Sequence, residues 1–222
     1  MRRDIDPAEA GRRAFYQLLT AVVVPRPIAW VSSLSAEGQP NLAPHSFFTV
    51  ACADPPVVQF TSVRRKDSLR NIEATREFVV CMATEPLFEQ VNATGTTFPY
   101  GYDEAAAVGL AREPSARVAP TRVAASPVAL ECVLHATVCL GDSTVVFGRV
   151  VHAAVDEDVL DGDHPRYDLM KPLARLGRDE WGLARETRWI TRIPYDQWPG
   201  HFAGTSEPGG AVRGDDMDVA GG

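Results

Sequence analysis

The sequence predicts a mainly β fold, a β-barrel with peripheral helices, and two stretches carry this prediction. From Val128 to Leu140, apolar residues occupy every second position over thirteen residues, which is the pattern of a half-buried strand. A Gly-Asp-Ser turn at 141–143 follows, and residues 144–155 return as the partner strand. The second stretch is a strand, a turn and a strand over residues 28–34, 36–39 and 41–51. Strands as long as the first pair usually bend around a barrel.

The polar residues of the predicted strand 128–140 indicate that one of its faces points away from the core. Glu131 and His135 alternate with the apolar positions of this strand. Both side chains are therefore expected at the protein surface or at a subunit interface.

Helices and shorter strands are predicted along the rest of the chain. Asp6 is a suitable cap, with Pro7 at the first helical position, for a helix that reaches about Thr20. Further elements are a strand at 57–61, a helix at 69–76, a strand at 78–83, short helices at 85–92 and 103–108, and a helix at 169–176. Residues 1–198 are expected to form a single domain. Residues 199–222 are rich in Gly, Asp and Ser, which predicts a disordered tail.

The composition limits the classes of function. The chain has 22 Lys and Arg against 29 Asp and Glu, a formal net charge of −7, which argues against nucleic-acid binding. No apolar run is long enough to cross a membrane, and the N-terminus lacks the apolar segment of a signal peptide. The cysteines lie in apolar or β-like runs without a C-x-x-C pair, which favours buried reduced thiols at Cys52, Cys81, Cys132 and Cys139. A cytoplasmic protein is expected.

Several familiar sites lack their motifs in this chain. No G-x-G-x-x-G follows a predicted strand, and neither a P-loop motif nor H-E-x-x-H occurs. The five histidines have no ligand-like spacing, so no metal site is predicted. The acidic residues within 156–163 lack the spacing of a calcium loop, which favours a solvated acidic loop.

A cationic stretch predicts an anion site. Arg64, Arg65 and Lys66 precede a helix for which Asp67 or Ser68 is the expected N-cap. The first turn of a helix has free backbone N–H groups and a partial positive charge, so the cations beside it suit a phosphate. A solvated basic turn explains the same residues equally well from the local sequence alone.

Small polar residues lie on the adjoining predicted strands. The segment from Asn41 to Ser46 combines amide, imidazole and hydroxyl groups with Pro44, and the aromatic residues Trp30 and Phe47 lie close to it in sequence. An anion anchor at one end, with hydrogen bonds and apolar contacts along a ring, suits a phosphorylated planar cofactor. Trp30 fits equally well as a core residue.

A series of short motifs occurs in a fixed order along most of the chain. It comprises P-R-P-I-A-W-V-S-S, N-L-A-P-H-S-F-F, D-P-P, R-K-D-S-L-R-N-I, N-A-T, Y-D-E, G-L, S-P-V-A-L-E-C and P-L-A-R-L-G. This series resembles the flavin reductase-like proteins of the FMN-binding split-barrel superfamily. The resemblance covers roughly residues 15–195, and the order of its motifs is more specific than any one of them.

The resemblance implies a split β-barrel, usually a homodimer, with FMN bound in a groove near the subunit interface. The residues that it implies for the FMN phosphate are Ser62, Arg64, Lys66, Asp67 and Ser68, with Asn71 nearby. The residues that it implies for the ribityl chain and the isoalloxazine ring are Ile28, Trp30, Ser32, Asn41, Ala43, Pro44, His45 and Ser46. His45 is the candidate catalytic residue, either tuning the flavin or delivering a proton.

Three functions are consistent with these residues. The first is a flavin-dependent oxidoreductase that binds FMN, with FAD as an alternative, and reduces flavin with NADH or NADPH, with a partner monooxygenase as one acceptor of the electrons. The second is an FMN-binding electron carrier without nicotinamide reactivity. The third is a pyridoxal-phosphate oxidase-like binder on the same barrel. The sequence favours the first function and does not decide between NADH and NADPH.

Overall fold

The computed structural model of the chain describes residues 1–184 and 186–198. The chain divides into two compact units, Met1–Arg185 and Glu186–Gly222. In the second unit, residues 186–198 contain a short 3₁₀ turn, Tyr195–Gln197, and exposed side chains that include Trp189 and Ile190. The single domain over 1–198 stays a prediction, and the predicted disordered tail at 199–222 lies outside the described residues.

The first unit is built mainly from strands. They are β1 (Arg26–Pro27), β2 (Ala29–Leu34), β3 (Pro40–His45), β4 (Phe48–Cys52), β5 (Val57–Val63), β6 (Glu77–Met82), β7 (Arg112–Glu113), β8 (Arg122–Val123), β9 (Val128–Leu140), β10 (Ser143–Val155), β11 (Leu160–Asp161), β12 (His164–Pro165), β13 (Ala174–Arg175) and β14 (Trp181–Gly182). Seven of them form one antiparallel sheet in the order β3-β2-β6-β9-β10-β5-β4. The predicted mainly β fold is confirmed, and so is the long hairpin of β9 and β10.

Short helices surround this sheet. They are α1 (Pro7–Ala10), α2 (Arg12–Val22), α3 (Asp67–Thr75), α4 (Phe88–Ala93), α5 (Glu104–Ala107) and α6 (Tyr167–Met170). Asp6 caps α1 by accepting a hydrogen bond from the Ala8 N–H at 2.7 Å, as the sequence predicts. The predicted single N-terminal helix is wrong, because Gly11 lies at φ 76° and separates α1 from α2. Within the described part of the chain, no helix has the length and apolarity needed to cross a membrane.

The sheet curves into a barrel that stays open between β3 and β5. These two strands lie close together without a hydrogen-bonded ladder between them. The ring of His45, at the end of β3, contacts Phe60 of β5 with 4.6 Å between the ring centroids. The predicted hairpin over 28–51 is confirmed for β2 and β3 only. Because the chain bends at Ser46 and Phe47, the residues that follow pair with β5 as β4 at the other end of the sheet.

Two apolar clusters fill the space inside and outside the curved sheet. The inner cluster contains Val31, Phe60 and Phe78 from the strands, and α3 closes it with Leu69 and Ile72. The outer cluster lies on the other face of the sheet and includes residues from the strands and from the segment 85–93 that covers them. Its members include Ile28, Trp30, Leu42, Val79, Cys81, Leu87 and Val91. Strand β2 is therefore buried on both faces, which explains its nearly continuous apolar sequence.

Glu131 corrects the prediction for the polar face of β9. Its side chain is fully buried, whereas His135 is exposed as predicted. The carboxylate accepts hydrogen bonds from the backbone N–H groups of Ala116 at 2.9 Å and Arg117 at 2.6 Å, and from Arg122 Nε at 3.0 Å. Burial raises the pKa of Glu131, but these hydrogen bonds outweigh it and leave the pKa below its ordinary value. The segment before β8 covers this face, which strand periodicity does not reveal.

Two other sequence predictions need correction. The predicted helix at 169–176 ends at Met170, because Lys171 adopts a left-handed φ of 46° and Pro172 follows. Cys81 and Cys132 are buried, and burial raises the pKa of each thiol to about 12. The prediction of buried thiols is wrong for Cys52 and Cys139, which are exposed; all four cysteines are free.

A substitution at Gly148 would test how tightly the inner cluster is packed. A Cβ atom at this position of β10 would lie 2.2 Å from Cζ of the fully buried Phe78. We expect Gly148→Ala to lower the free energy of unfolding by about 1–3 kcal/mol, measured by urea denaturation. The control is Gly182→Ala, whose Cβ would have its nearest contact at 3.5 Å. Equal losses in the two variants would contradict this account of the packing.

Candidate functional site

A cavity of about 920 Å³ lies where the barrel is open. We call it the main cavity. Its walls are the N-terminal helices, the chain after β3, the end of β5 with the following turn, and the β9–β10 turn. The lining residues are Pro7, Arg12, Arg13, Phe15, Tyr16, Leu19, Pro44, His45, Ser46, Phe47, Thr61, Val63, Arg64, Lys66, Asp142 and Ser143.

The structure brings only some of the predicted site residues into this wall. Those in the wall are Pro44, His45, Ser46, Arg64 and Lys66. The buried polar side chains of Ser32, Asn41, Ser62, Ser68 and Asn71 do not line the main cavity, and Ser32 and Asn41 line a separate small cavity; Asp67 and Ala43 are half-buried. Ile28 lines a separate small cavity of about 160 Å³ that also includes Pro44 and Ser46. The Trp30 side chain lies in the outer cluster, where its Nε1 donates to Thr94 Oγ1 at 2.9 Å.

A buried polar network connects α3 to β2 and β3. Ser68 Oγ, in the first turn of α3, lies 3.1 Å from Asn41 Nδ2 and 3.1 Å from His45 Nε2. Ser33 Oγ accepts hydrogen bonds from Asn41 Nδ2 at 3.4 Å and from Asn71 Nδ2 at 3.3 Å. The two parts of the chain that the sequence predicted as an anion site and as a ring site therefore share one set of hydrogen bonds.

The protonation of His45 follows from this network and from burial. Burial, together with the positive charge of Lys66, lowers the pKa of His45 to about 4, and a hydrogen bond to the backbone of Thr61 opposes this only in part. Asn41 donates to Ser68 Oγ, so the Ser68 hydroxyl hydrogen is free to donate to His45 Nε2. The imidazole is therefore neutral at pH 7. This favours a role in orienting and tuning a bound ring over a role as a charged acid.

The turn before α3 has a defined shape. Ser62 is fully buried and its hydroxyl donates to the Arg64 carbonyl at 2.9 Å. Arg64 adopts a left-handed φ of 65°, and its N–H donates to the Asp142 carbonyl at 2.7 Å. The β9–β10 turn thus supports the turn after β5, so that Arg64 is held at the edge of the main cavity.

The start of α3 differs from the prediction. The N-cap residue is Lys66 and no side chain caps the helix, so the predicted cap at Asp67 or Ser68 is wrong. The reason is that Ser68 bonds to Asn41 and His45, while Asp67 pairs with Arg70 at 3.2 Å. The first-turn N–H groups thus have no side-chain cap, which is the arrangement that an anion can occupy.

The three consecutive cations of the turn separate in the structure. Arg65 turns away from the main cavity and pairs with Glu73 at 2.6 Å. Arg64 and Lys66 line the cavity and form no ion pair with any residue that the structure describes. Of the three cations of the turn, Arg64 and Lys66 therefore supply the charge that is available to an anion in the main cavity.

Helix α2 is the part of the wall that the sequence did not predict. It contributes Arg12, Arg13, Phe15, Tyr16 and Leu19 to the main cavity, and Arg12 pairs with Asp142 of the β9–β10 turn. The adjacent arginines ahead of an apolar stripe were the available signal. Only the tertiary structure brings this helix against a turn 130 residues away in sequence.

Glu104, the last residue of the Y-D-E motif, has a contact that the sequence did not predict. Its side chain is buried at the start of α5, and Oε2 accepts a hydrogen bond from the Leu42 N–H at 2.9 Å. Burial raises the pKa of this carboxyl. Leu42 belongs to the end strand β3, so Glu104 covers a backbone donor that would otherwise lie unpaired at the edge of the sheet. Across the described ranges, no cluster of His, Cys, Asp and Glu side chains is arranged to hold a metal ion.

Comparison with known proteins establishes the family. The flavin reductase like domain matches residues 21–174. The chain belongs to this family. The predicted family and split-barrel fold are thereby confirmed, together with the flavin oxidoreductase class to which the family belongs.

Individual relatives extend over nearly the whole described chain. A protein of Deinococcus radiodurans is 40% identical over 199 residues, which cover 83% of this chain and 87% of the relative. The 2-nitrobenzoate 2-nitroreductase of Pseudomonas fluorescens is 32% identical with a TM-score of 0.81, covering 87% of this chain and 98% of its own. Nitrilotriacetate monooxygenase component B of Bacillus cereus is 29% identical with a TM-score of 0.83, covering 86% and 99%.

The low pKa of His45 predicts a pH-dependent stability. Its folded-state value of about 4 lies below the ordinary value of 6.5, so the unfolded chain binds this proton more readily. The free energy of unfolding should therefore decrease as the pH falls from 6.5 towards 4. The full contribution of this group is about 3 kcal/mol. Urea denaturation across this pH range measures it.

His45→Gln should remove this component of the pH dependence. The control is His135→Gln, which changes an exposed histidine of β9 and should retain the wild-type dependence. Identical pH profiles for wild type and His45→Gln would show that the histidine is not held neutral in the folded state.

Proposed function

We propose that this chain is an FMN-binding oxidoreductase that reduces flavin with NADH or NADPH in the main cavity. The observation that supports it most is the contact of Ser68 with both Asn41 and His45. Through this contact, the uncapped start of α3 and the strand end with the small polar groups become two sides of one cavity. An anion anchor and a ring site side by side are what a phosphorylated flavin requires.

The residues present fit FMN in charge and in shape. Arg64 and Lys66, together with the uncapped first turn of α3, suit the phosphate dianion. Phe15, Tyr16 and Phe47 supply apolar wall for a flat ring. A volume of about 920 Å³ is ample for a ligand of this size.

Bound flavin would supply the hydride chemistry, and the chain would supply position and electrostatics. Arg64 and Lys66 would bind the phosphate, and Ser62 would hold the turn that presents them. The network through Ser68 would hold His45 neutral and immobile against the ring site. FAD is an alternative to FMN because the main cavity also includes Arg12 and Arg13.

The names of the relatives support further parts of the proposal. A monooxygenase component and a nitroreductase of this fold suggest that reduced flavin, or electrons from it, serves an acceptor outside the barrel. We propose a partner monooxygenase as one such acceptor and a homodimer as the assembly. A cytoplasmic location suits the four free cysteines, two of which are exposed.

The test of this function combines a titration with a coupled assay. Purified protein is titrated with FMN, FAD and riboflavin, and the oxidation of NADH and of NADPH is followed with and without FMN. We expect tight FMN binding and steady oxidation of one nicotinamide. Binding of FMN without any nicotinamide oxidation would identify an electron carrier instead. Absence of flavin binding, or a pyridoxal phosphate spectrum, would overturn the proposal.

The phosphate anchor makes a selective prediction. Replacing both Arg64 and Lys66 by alanine should weaken FMN at least about tenfold, because each charge-assisted hydrogen bond contributes about 1.5–3 kcal/mol. Riboflavin lacks the phosphate and should be much less affected. Fluorescence titration of both ligands measures the difference.

The same turn provides the matched control. Arg65→Ala removes a neighbouring cation that pairs with Glu73 and does not line the main cavity. Its affinity for FMN should stay close to that of the wild type. If the double variant lost equal affinity for FMN and for riboflavin, the phosphate anchor would lie elsewhere.

A further inference from the structure

A second cavity, of about 430 Å³, adjoins the main cavity. We call it the side cavity; it lies between α2, β1 and β13. It shares Tyr16, Ser46 and Phe47 with the main cavity, so one wall separates the two. Ser46 also lines the small cavity beside Ile28. A ligand in the side cavity would therefore lie next to a ring bound beside Ser46 and Phe47.

The side cavity carries an excess of positive charge. Arg26, Arg175 and Arg178 line it, with Asp179 as the acidic residue in its wall. None of the three arginines forms an ion pair with a residue in the described part of the chain. Such a concentration of unpaired guanidinium groups is notable in a chain with a net charge of −7.

Arg26 is the most constrained of these arginines. Only 8% of its surface is exposed, and its guanidinium donates to the backbone carbonyls of Thr20, Val23 and Leu176. Its Nε has no hydrogen-bond partner among the described residues. Burial and the neighbouring Arg175 lower the pKa of Arg26, and no carboxylate of the described residues forms an ion pair with it. A buried charge without a counter-charge is costly, and an anion in the side cavity would relieve this cost.

Arg175 and Arg178 are the more accessible pair. The Arg175 guanidinium lies over the Trp181 ring at 4.6 Å from its centroid and donates to the Arg178 carbonyl at 2.7 Å. In the turn that carries Arg178, the Leu176 N–H donates to the Glu180 carbonyl and the Glu180 N–H donates to the Gly177 carbonyl, each at 3.0 Å. The Arg178 side chain is exposed. One guanidinium is thus held in place and the other is free to close on a ligand.

We propose that the side cavity binds an anionic group of the second substrate, the molecule that reacts with flavin in the main cavity. Arg175 and Arg178 would recognise the anion, and Arg26 would act as a positioning residue behind them. This inference rests on the proposed function. The flavin phosphate does not explain these arginines, because Arg64 and Lys66, with the start of α3, already provide its anchor.

Two chemical sources share this anionic character. One is the pyrophosphate of a nicotinamide dinucleotide, and the other is the carboxylate of an aromatic electron acceptor. Both place oxygen anions beside a planar ring, which guanidinium groups bind in a bidentate manner. The competing ligands in the experiment below separate the two sources.

The test uses protein loaded with FMN, so that the phosphate anchor is already filled. Dissociation constants for NADH, NADPH, inorganic pyrophosphate and benzoate are measured by calorimetry for wild type, Arg178→Gln and Arg175→Gln. We expect each variant to weaken at least one of these ligands about tenfold. Weaker binding of NADH, NADPH and pyrophosphate identifies the dinucleotide as the source of the anion. Weaker binding of benzoate identifies the carboxylate acceptor. In the coupled assay, KM for the affected substrate should rise while kcat is maintained.

Controls keep the two proposals separate. Arg117→Gln changes an exposed arginine outside the side cavity and should bind every ligand as the wild type does. Arg178→Lys retains the charge and should restore part of the affinity. FMN affinity should be unchanged in all variants. FMN binding with unaltered affinities for all four anionic ligands would overturn this inference alone, whereas a wild-type protein that binds no flavin would overturn the proposed function.

Discussion

The hydrogen bonds of Ser68 to Asn41 and His45 hold the open side of the barrel in one arrangement. Strands β3 and β5 have no ladder between them, so the contacts of α3 with the sheet depend on these hydrogen bonds, on the bond of Asn71 to Ser33, and on the apolar side chains of Leu69 and Ile72. Because these side chains are buried, each unmade hydrogen bond would leave a polar group without a partner at substantial cost. The network therefore fixes the helix start, the strand end and the protonation of His45 together, and the cavity takes its shape from all three.

The cations of this molecule fall into two groups, those that pair with a carboxylate and those that do not. The chain is acidic overall, and several of its ionic groups form pairs: Arg122 with Glu131, Arg65 with Glu73 and Arg12 with Asp142. The cations that lack carboxylate partners within the described residues include Arg64 and Lys66 of the main cavity, and Arg26, Arg175 and Arg178 of the side cavity. Since unpaired charge near an apolar wall attracts an opposite charge strongly, both cavities are suited to anionic ligands.

The site was only partly predictable because sequence periodicity describes one strand or helix at a time. The sequence shows the polar segment from Asn41 to Ser46 and the cations after Ser62 as two separate features. It does not show that the hydrogen bonds of Ser68 bring them together. Similarly, Glu131 lies at a position of β9 that alternation assigns to a polar face, yet a distant segment covers it with two backbone donors and Arg122. The N-cap of α3 was misplaced for a related reason, since the Ser68 side chain bonds to Asn41 and His45 on β3, while Asp67 pairs with Arg70 of its own helix.

The sequence by itself determined the strands, because period-two alternation and turn residues act over a few neighbours. It also determined the family, since an ordered series of motifs extends along most of the chain. Only the tertiary structure decided which residues face a cavity. Contacts such as Arg12 with Asp142, or Arg26 with Leu176, join residues more than a hundred positions apart. Such contacts depend on how the sheet curves and where it stays open, which no local pattern specifies.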